Sequence, residues 1–190
     1  IVINKNNNLP IIFDFGLSIN ESSIDLKHLS KHFFRLSPEF SIWCLEIQLI
    51  NFFANIQDEP ITLIQLKNII NKYIDNCKAF MLFNKSFLDK YKTSAIHFFE
   101  KYVGVGKDEV VTDLLTYYQT WDQYALSLNY LKLIRNKPIN FKNVLVQNLL
   151  KILVMNINPN PTKRYTINQT IEEFKKLKKI KVTKSYGFGT

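Results

Sequence analysis

The pattern of apolar and polar positions divides the chain into a short extended start and a long helical body. "IVIN" and "PIIFDF" are rich in β-branched and aromatic residues and flank the turn-forming "KNNN". That pattern predicts two short strands within residues 1–16. Residues 17–39 hold five serines and two histidines but little periodicity, which predicts a long loop of the kind that carries function. From Ser41 onward helix dominates. "SIWCLEIQLINFFANI" is apolar on almost every side and predicts a deeply buried helix. The next stretch, 61–76, has apolar residues at 61, 64, 66, 69, 70 and 74, a helical spacing, with Pro60 and Thr62 where helix starts favour proline and a hydroxyl cap. Further helices are predicted over 86–103, 107–119, 121–135, 140–157 and 167–180, separated by "VGVGKDE", "RNKPIN" and "NPNPTKRYT". The expected fold is therefore mainly α, with a small β element packed on a helical bundle.

Composition adds few constraints. At 190 residues, 46% hydrophobic and 22% charged, the chain has the makings of a folded core, and no apolar run reaches the ~18–20 residues of a membrane span. The first apolar residues are broken by "NKNNN", unlike a secretory signal. Cys44 and Cys77 lie far apart without a metal-binding pattern, as expected of an intracellular, cytoplasmic protein. The net charge is +9, and nine Lys or Arg against two acids lie from Lys151 onward. This basic end reads as a solvated helix face and terminus, because no aromatic residues interleave with its lysines; nucleic acid is an unlikely partner. Lysine outnumbers arginine 22 to 3 and isoleucine and asparagine abound, a bias that A/T-rich codons produce.

Four motifs then occur in a fixed order. Asp14-Phe15-Gly16 ends a hydrophobic strand. Ser37-Pro38-Glu39 precedes the first long helix. Asp122 opens the helix "WDQYALSL". Arg164 sits in "NPNPTKRYT" just before the last helix. Together they resemble the C-terminal lobe of a eukaryotic-type protein kinase, and the wording of "SPEFSIWCLEIQLINFF" and "TWDQYALSLNYL" is similar to a divergent group of kinases from large DNA viruses. A viral origin would place the protein in the host cell or the virion.

The resemblance implies a fold and a set of roles. The fold is a kinase-like C-terminal lobe, with a β hairpin carrying the DFG and a helical bundle with a large insertion. The whole of 1–190 would be a partial kinase domain: metal-site strands (1–16), activation segment (17–39), helical insertion (40–120), and lobe helices with a basic tail (121–190). Asp14 would bind the Mg²⁺ that bridges the phosphates of ATP, a carboxylate suiting a hard cation. Val2 and Phe13 would line the adenine pocket, although both equally read as core. Glu39 and Arg164 would form a buried ion pair anchoring the activation segment. Asp122 would accept backbone N–H groups as a scaffold residue, or serve as a helix cap. Ser18, Ser22, Ser23 and Ser30 are activation-loop phosphorylation candidates.

The resemblance also shows departures. Ordinary kinases join the equivalents of Glu39 and Asp122 through a dozen or so residues, whereas about eighty intervene here. The insertion 40–120 is a candidate surface for a protein partner, or simply thickens the lobe. Ser127 replaces the usual glycine, Tyr124 the usual tryptophan, and Asn158 and Asn160 stand where an acid is expected. The glycine-rich loop, its lysine and the catalytic loop with its base aspartate do not occur in the sequence, so no catalytic residue is assigned within it and this chain alone is expected to be inactive.

The function expected of the complete molecule is transfer of the ATP γ-phosphoryl group to protein hydroxyls, on the serine/threonine pattern, with ATP and Mg²⁺ as cofactors and a protein as substrate. The alternative is a catalytically silent kinase-like interaction module working through 40–120. A third reading, a basic nucleic-acid binder through 163–184, rests on charge alone. His28, His32 and His97 show no metal-ligand spacing, and no GxSxG or phosphate-cradling GxxxxGK occurs.

Overall fold

Seven helices account for most of the described chain: α1 (Leu45–Asn55), α2 (Leu63–Asn76), α3 (Lys85–Phe99), α4 (Lys107–Leu115), α5 (Trp121–Arg135), α6 (Val144–Asn156) and α7 (Ile167–Lys179). The computed structural model describes residues 2–3, 10–11, 19–33, 42–56 and 58–179. The protein is mainly α, as the apolar spacing predicts. Near the start of the chain, β1 (Val2–Ile3) pairs antiparallel with β2 (Pro10–Ile11), Val2 opposite Ile11.

Helix starts follow local chemistry. Thr62 and Gln65 form a reciprocal capping box on α2: the Gln65 N–H donates to Thr62 Oγ1 (3.3 Å) and the Thr62 N–H to Gln65 Oε1 (2.9 Å). Thr166 and Gln169 repeat the arrangement at α7. Asn84 and Asn143 cap α3 and α6 through their side-chain oxygens. Between α3 and α4 the chain turns at Gly104, whose φ of 76° is a left-handed conformation that glycine adopts without strain. The Gly104 N–H donates to the Ile61 carbonyl (3.0 Å), tying this turn to the entry of α2.

Helix α1 is buried along nearly its whole length, with Leu49, Ile50 and Phe53 at the centre of the core. It packs on α2 and α4, α2 on α3, and α5 on α6, which in turn carries α7. The segment 19–33 departs from the expected loop. It folds into two short 3-10 turns, Glu21–Ser23 and Leu26–Lys31, and sends Leu29 and Phe33 into the core. Asp25 starts the second turn by accepting from the Lys27 N–H (2.9 Å). These two anchors, four residues apart, tie the segment to the core. A further 3-10 turn, Lys78–Leu82, lies between α2 and α3 and packs on α5. Among the described residues no helix is long and apolar enough to cross a membrane.

Candidate functional site

The site is built around Arg164. Asn160 holds the preceding turn, Pro161–Lys163, by accepting from the Thr162 N–H (3.0 Å), and Arg164 follows with extended backbone. Its side chain runs into the core, where four of its donor hydrogens are taken. Nε donates to the Asn158 carbonyl (2.8 Å) and Nη1 to Thr120 Oγ1 (2.9 Å). Nη1 and Nη2 also donate to the two carboxylate oxygens of Glu46, at 2.6 and 2.9 Å. Both side chains of this ion pair are 0% exposed. A planar guanidinium facing a carboxylate in this two-point fashion is the geometry in which arginine outperforms lysine. Burial acts against the Arg164 charge, but the Glu46 carboxylate outweighs it and holds the guanidinium above its ordinary range.

Glu46 comes from the first turn of α1, where a carboxylate also complements the positive end of the helix dipole. The ion pair therefore joins the start of α1 to the turn before α7 across 118 residues. Thr120, at the start of α5, makes the third side of the junction.

Beneath the guanidinium lies Tyr124, its ring 4.6 Å from Arg164 Cζ, a cation–π contact. The Tyr124 hydroxyl is shared by two others, Tyr73 of α2 at 2.5 Å and Tyr91 of α3 at 2.8 Å. All three rings are buried, and Phe80 packs on both outer tyrosines, its ring centre 5.9 Å from Tyr73 and 4.8 Å from Tyr91. Three hydroxyls satisfying one another in the core link α2, α3 and α5 to the ion pair. Burial pushes the phenols of Tyr73, Tyr91 and Tyr124 above their ordinary value, and burial with the neighbouring Asp113 carboxylate does the same for Tyr102. These four of the nine tyrosines should stay un-ionised through the usual range near pH 10 for as long as the fold persists. The sign follows from proton binding. Above about pH 10 the unfolded chain loses protons that the folded chain keeps, so stability falls as pH rises. Phenolate absorbance recorded against urea midpoint from pH 8 to 11 checks this, and four phenolates appearing reversibly at pH 10 in a folded protein would contradict it.

A second polar chain meets α5 at Ser127, less than one turn beyond Tyr124. Asn156 of α6 donates to Ser127 Oγ (3.2 Å) and accepts from Thr170 Oγ1 of α7 (3.0 Å). The Gln123 amide donates to the Tyr165 carbonyl, beside Arg164. Among the described residues, four buried side-chain atoms have no hydrogen-bond partner: both polar atoms of the Asn51 side chain, Trp121 Nε1 and Gln123 Oε1.

Of the residues singled out in the sequence, Arg164 is placed at the centre of the site. Asp122 lies in the first turn of α5, exposed, and makes no hydrogen bond or ion pair among the described residues. The N-cap position of α5 belongs to Thr120. Phe13, Asp14 and Glu39 lie outside the described residues, as does Ser18, and of Val2 only the backbone pairing in β1 is described. Ser22, Ser23 and Ser30 are exposed on the 3-10 turns. His28 and His32 both approach Asp25: His28 Nδ1 lies 2.7 Å from Asp25 Oδ2, and the Asp25 N–H donates to His32 Nε2 at 3.4 Å. Among the described residues no cluster of three His, Cys, Asp or Glu has the makings of a metal site, and both cysteines are buried free thiols.

Glu46, Tyr73 and Tyr91 were not singled out by motif. Glu46 did leave a signal, as the one acid within the apolar run "SIWCLEIQLINFFANI". A carboxylate in a helix buried on every side requires a cation, and only three arginines exist to supply a two-point partner. No family model, curated protein or solved structure matches the chain.

Proposed function

We propose that the chain is part of a serine/threonine-type protein kinase, corresponding to the C-terminal lobe from the DFG onward, and that Glu46 rather than Glu39 anchors its activation segment. The observation that carries this reading is the buried two-point ion pair between Arg164 and Glu46. In the resemblance, an acid closing the activation segment meets an arginine just before a late helix. Cys44-Leu45-Glu46 then takes the closing position assigned from sequence to Ser37-Pro38-Glu39, seven residues earlier. Asp14 is the Mg²⁺ ligand of this reading, Val2 and Phe13 its adenine contacts, and ATP with Mg²⁺ its cofactors. A protein hydroxyl is the acceptor. Asp122, exposed at the head of α5, is free to accept backbone N–H groups from a catalytic loop contributed by the remainder of the kinase.

The test is phosphoryl transfer by the native gene product. With Mg·ATP and a generic protein acceptor it should incorporate phosphate on serine or threonine, and Asp14→Asn should reduce the rate at least ~100-fold, because the carboxylate supplies the metal clamp on the phosphates. Equal incorporation by wild type and Asp14→Asn would refute the reading.

A second reading, a catalytically silent helical interaction module, draws on apolar side chains that 40–120 leaves exposed: Ile64 at 73%, Met81 at 66% and Ile56 at 56%. It predicts no phosphate incorporation by the native product and a partner lost when these residues are made polar.

A further inference from the structure

Helices α1 and α2 enclose a groove of about 260 Å³ that shares only Tyr73 with the cluster around Arg164. Its floor is buried, with Phe52, Gln48 and Tyr73 only 8%, 6% and 2% exposed. Ile56 and Ile69 form its walls. At its mouth stand Asn68 and Lys72, one turn apart on α2 and both exposed. Residues four apart on a helix share a face, so the amide and the ammonium serve the same opening. Neither has a hydrogen bond or ion pair among the described residues.

We infer that the α1–α2 groove is a binding site for a small amphipathic carboxylate, its apolar body on Phe52, Ile56 and Ile69 and its carboxylate at Asn68 and Lys72. The ammonium has three donors and no acceptor, and the amide adds two donors more. An anion with two acceptor oxygens meets both, and its charge pairs with the ammonium, which a neutral ligand's oxygen does not. The volume is just under the roughly 300–1,000 Å³ of drug-sized pockets, which fits a molecule of about a dozen heavy atoms. Phe52, Ile56, Ile69 and Tyr73 share the lining with Gln48, Gln65, Asn68 and Lys72, so a ligand that carries both hydrocarbon and an acceptor group matches it.

The site sits close to the ion pair in a physical sense. Phe52 shares α1 with Glu46, and the Tyr73 hydroxyl on the floor is hydrogen-bonded with that of Tyr124, whose ring lies under Arg164. A ligand that ties α1 to α2 therefore stabilises the same two helices that the tyrosine cluster and the ion pair hold together. The inference stands independently of the kinase reading, since it uses only residues of α1 and α2.

The experiment is a calorimetric and ¹⁵N NMR titration of the full chain with sodium decanoate, kept below micelle formation. Saturable one-to-one binding is expected, with shifts at the α1–α2 groove and increased amide protection in both helices. Lys72→Gln, an exposed substitution that leaves the fold intact, should weaken binding about tenfold by removing the charge partner. Ile69→Trp should fill the groove and abolish binding, and decan-1-ol should bind about tenfold more weakly than decanoate. Lack of saturable binding would overturn the inference, as would equal binding of decanol or indifference to both substitutions. Failure of decanoate alongside saturable binding of an acidic amphipathic peptide would also overturn it, and would assign the groove to a protein partner.

Discussion

Glu46→Gln should destabilise the protein by about 3–5 kcal/mol, the usual cost of leaving one charge of a buried pair uncompensated. The substitution is nearly isosteric, so no cavity confuses the result. It leaves the Arg164 guanidinium buried without a counter-charge, its polar partners reduced to Thr120, the Asn158 carbonyl and one amide oxygen in place of two carboxylate oxygens. Urea denaturation measures the loss as a shift of midpoint at constant slope. The pair Glu46→Leu with Arg164→Met should recover most of it, because apolar replacements remove both desolvation penalties together. A loss below about 1 kcal/mol for Glu46→Gln, typical of exposed pairs, would contradict the buried geometry.

Tyr124→Phe is the second large effect. It removes the one hydroxyl that both Tyr73 and Tyr91 contact, leaving two buried O–H groups without that partner. At about 1–3 kcal/mol for each orphaned group, a loss of roughly 2–6 kcal/mol is expected. The ring remains under Arg164, so the cation–π contact survives and the change isolates the hydroxyls. Replacing all three tyrosines by phenylalanine should cost less than Tyr124→Phe alone, since no polar group is then stranded. The comparison is made by urea denaturation of the four variants that step from one substitution to three. A triple variant less stable than the single one would show that the hydroxyls contribute more than mutual satisfaction.

The helical body was legible because burial imposes a period. The apolar positions of 61–76 lie at helical spacing, and α2 occupies Leu63–Asn76 behind the Thr62 cap. The expected 121–135 coincides with α5. Ends were less legible where the last turn tightens: 86–103 resolves into α3 ending at Phe99 and a 3-10 turn, Glu100–Tyr102. The 3-10 turns of 19–33 have no 3.6-residue period to reveal them, and the burial of Leu29 and Phe33, with Ile19, Ile24 and Leu26 packed against the core, shows that the segment is part of it.

The site was legible in part. Arg164 stood out as one of three arginines in a lysine-rich chain, within a turn rich in proline and asparagine. The motif "SPE" points to Glu39, next to a proline, as its acid. Glu39 lies outside the described residues, and the acid that Arg164 holds among them is Glu46. The physical argument was available: Glu46 interrupts a helix with no polar face, whereas Glu39 precedes it. Tyrosine contacts across 51 and 33 residues were invisible, since a tyrosine at an apolar helix position reads as a ring and its hydroxyl leaves no local pattern.

The measurement that tests the kinase reading most directly is the sequence of the native transcript across the Ile1 codon. The account predicts an open frame that continues upstream into a catalytic loop of the form H-x-D-x-K-x-x-N, ending a residue or so before Ile1, so that its backbone reaches Asp122 and its base aspartate completes the site with Asp14. A stop codon or unrelated coding sequence at that point would contradict it, and would leave the ion pair at Arg164 as the core of a helical interaction module.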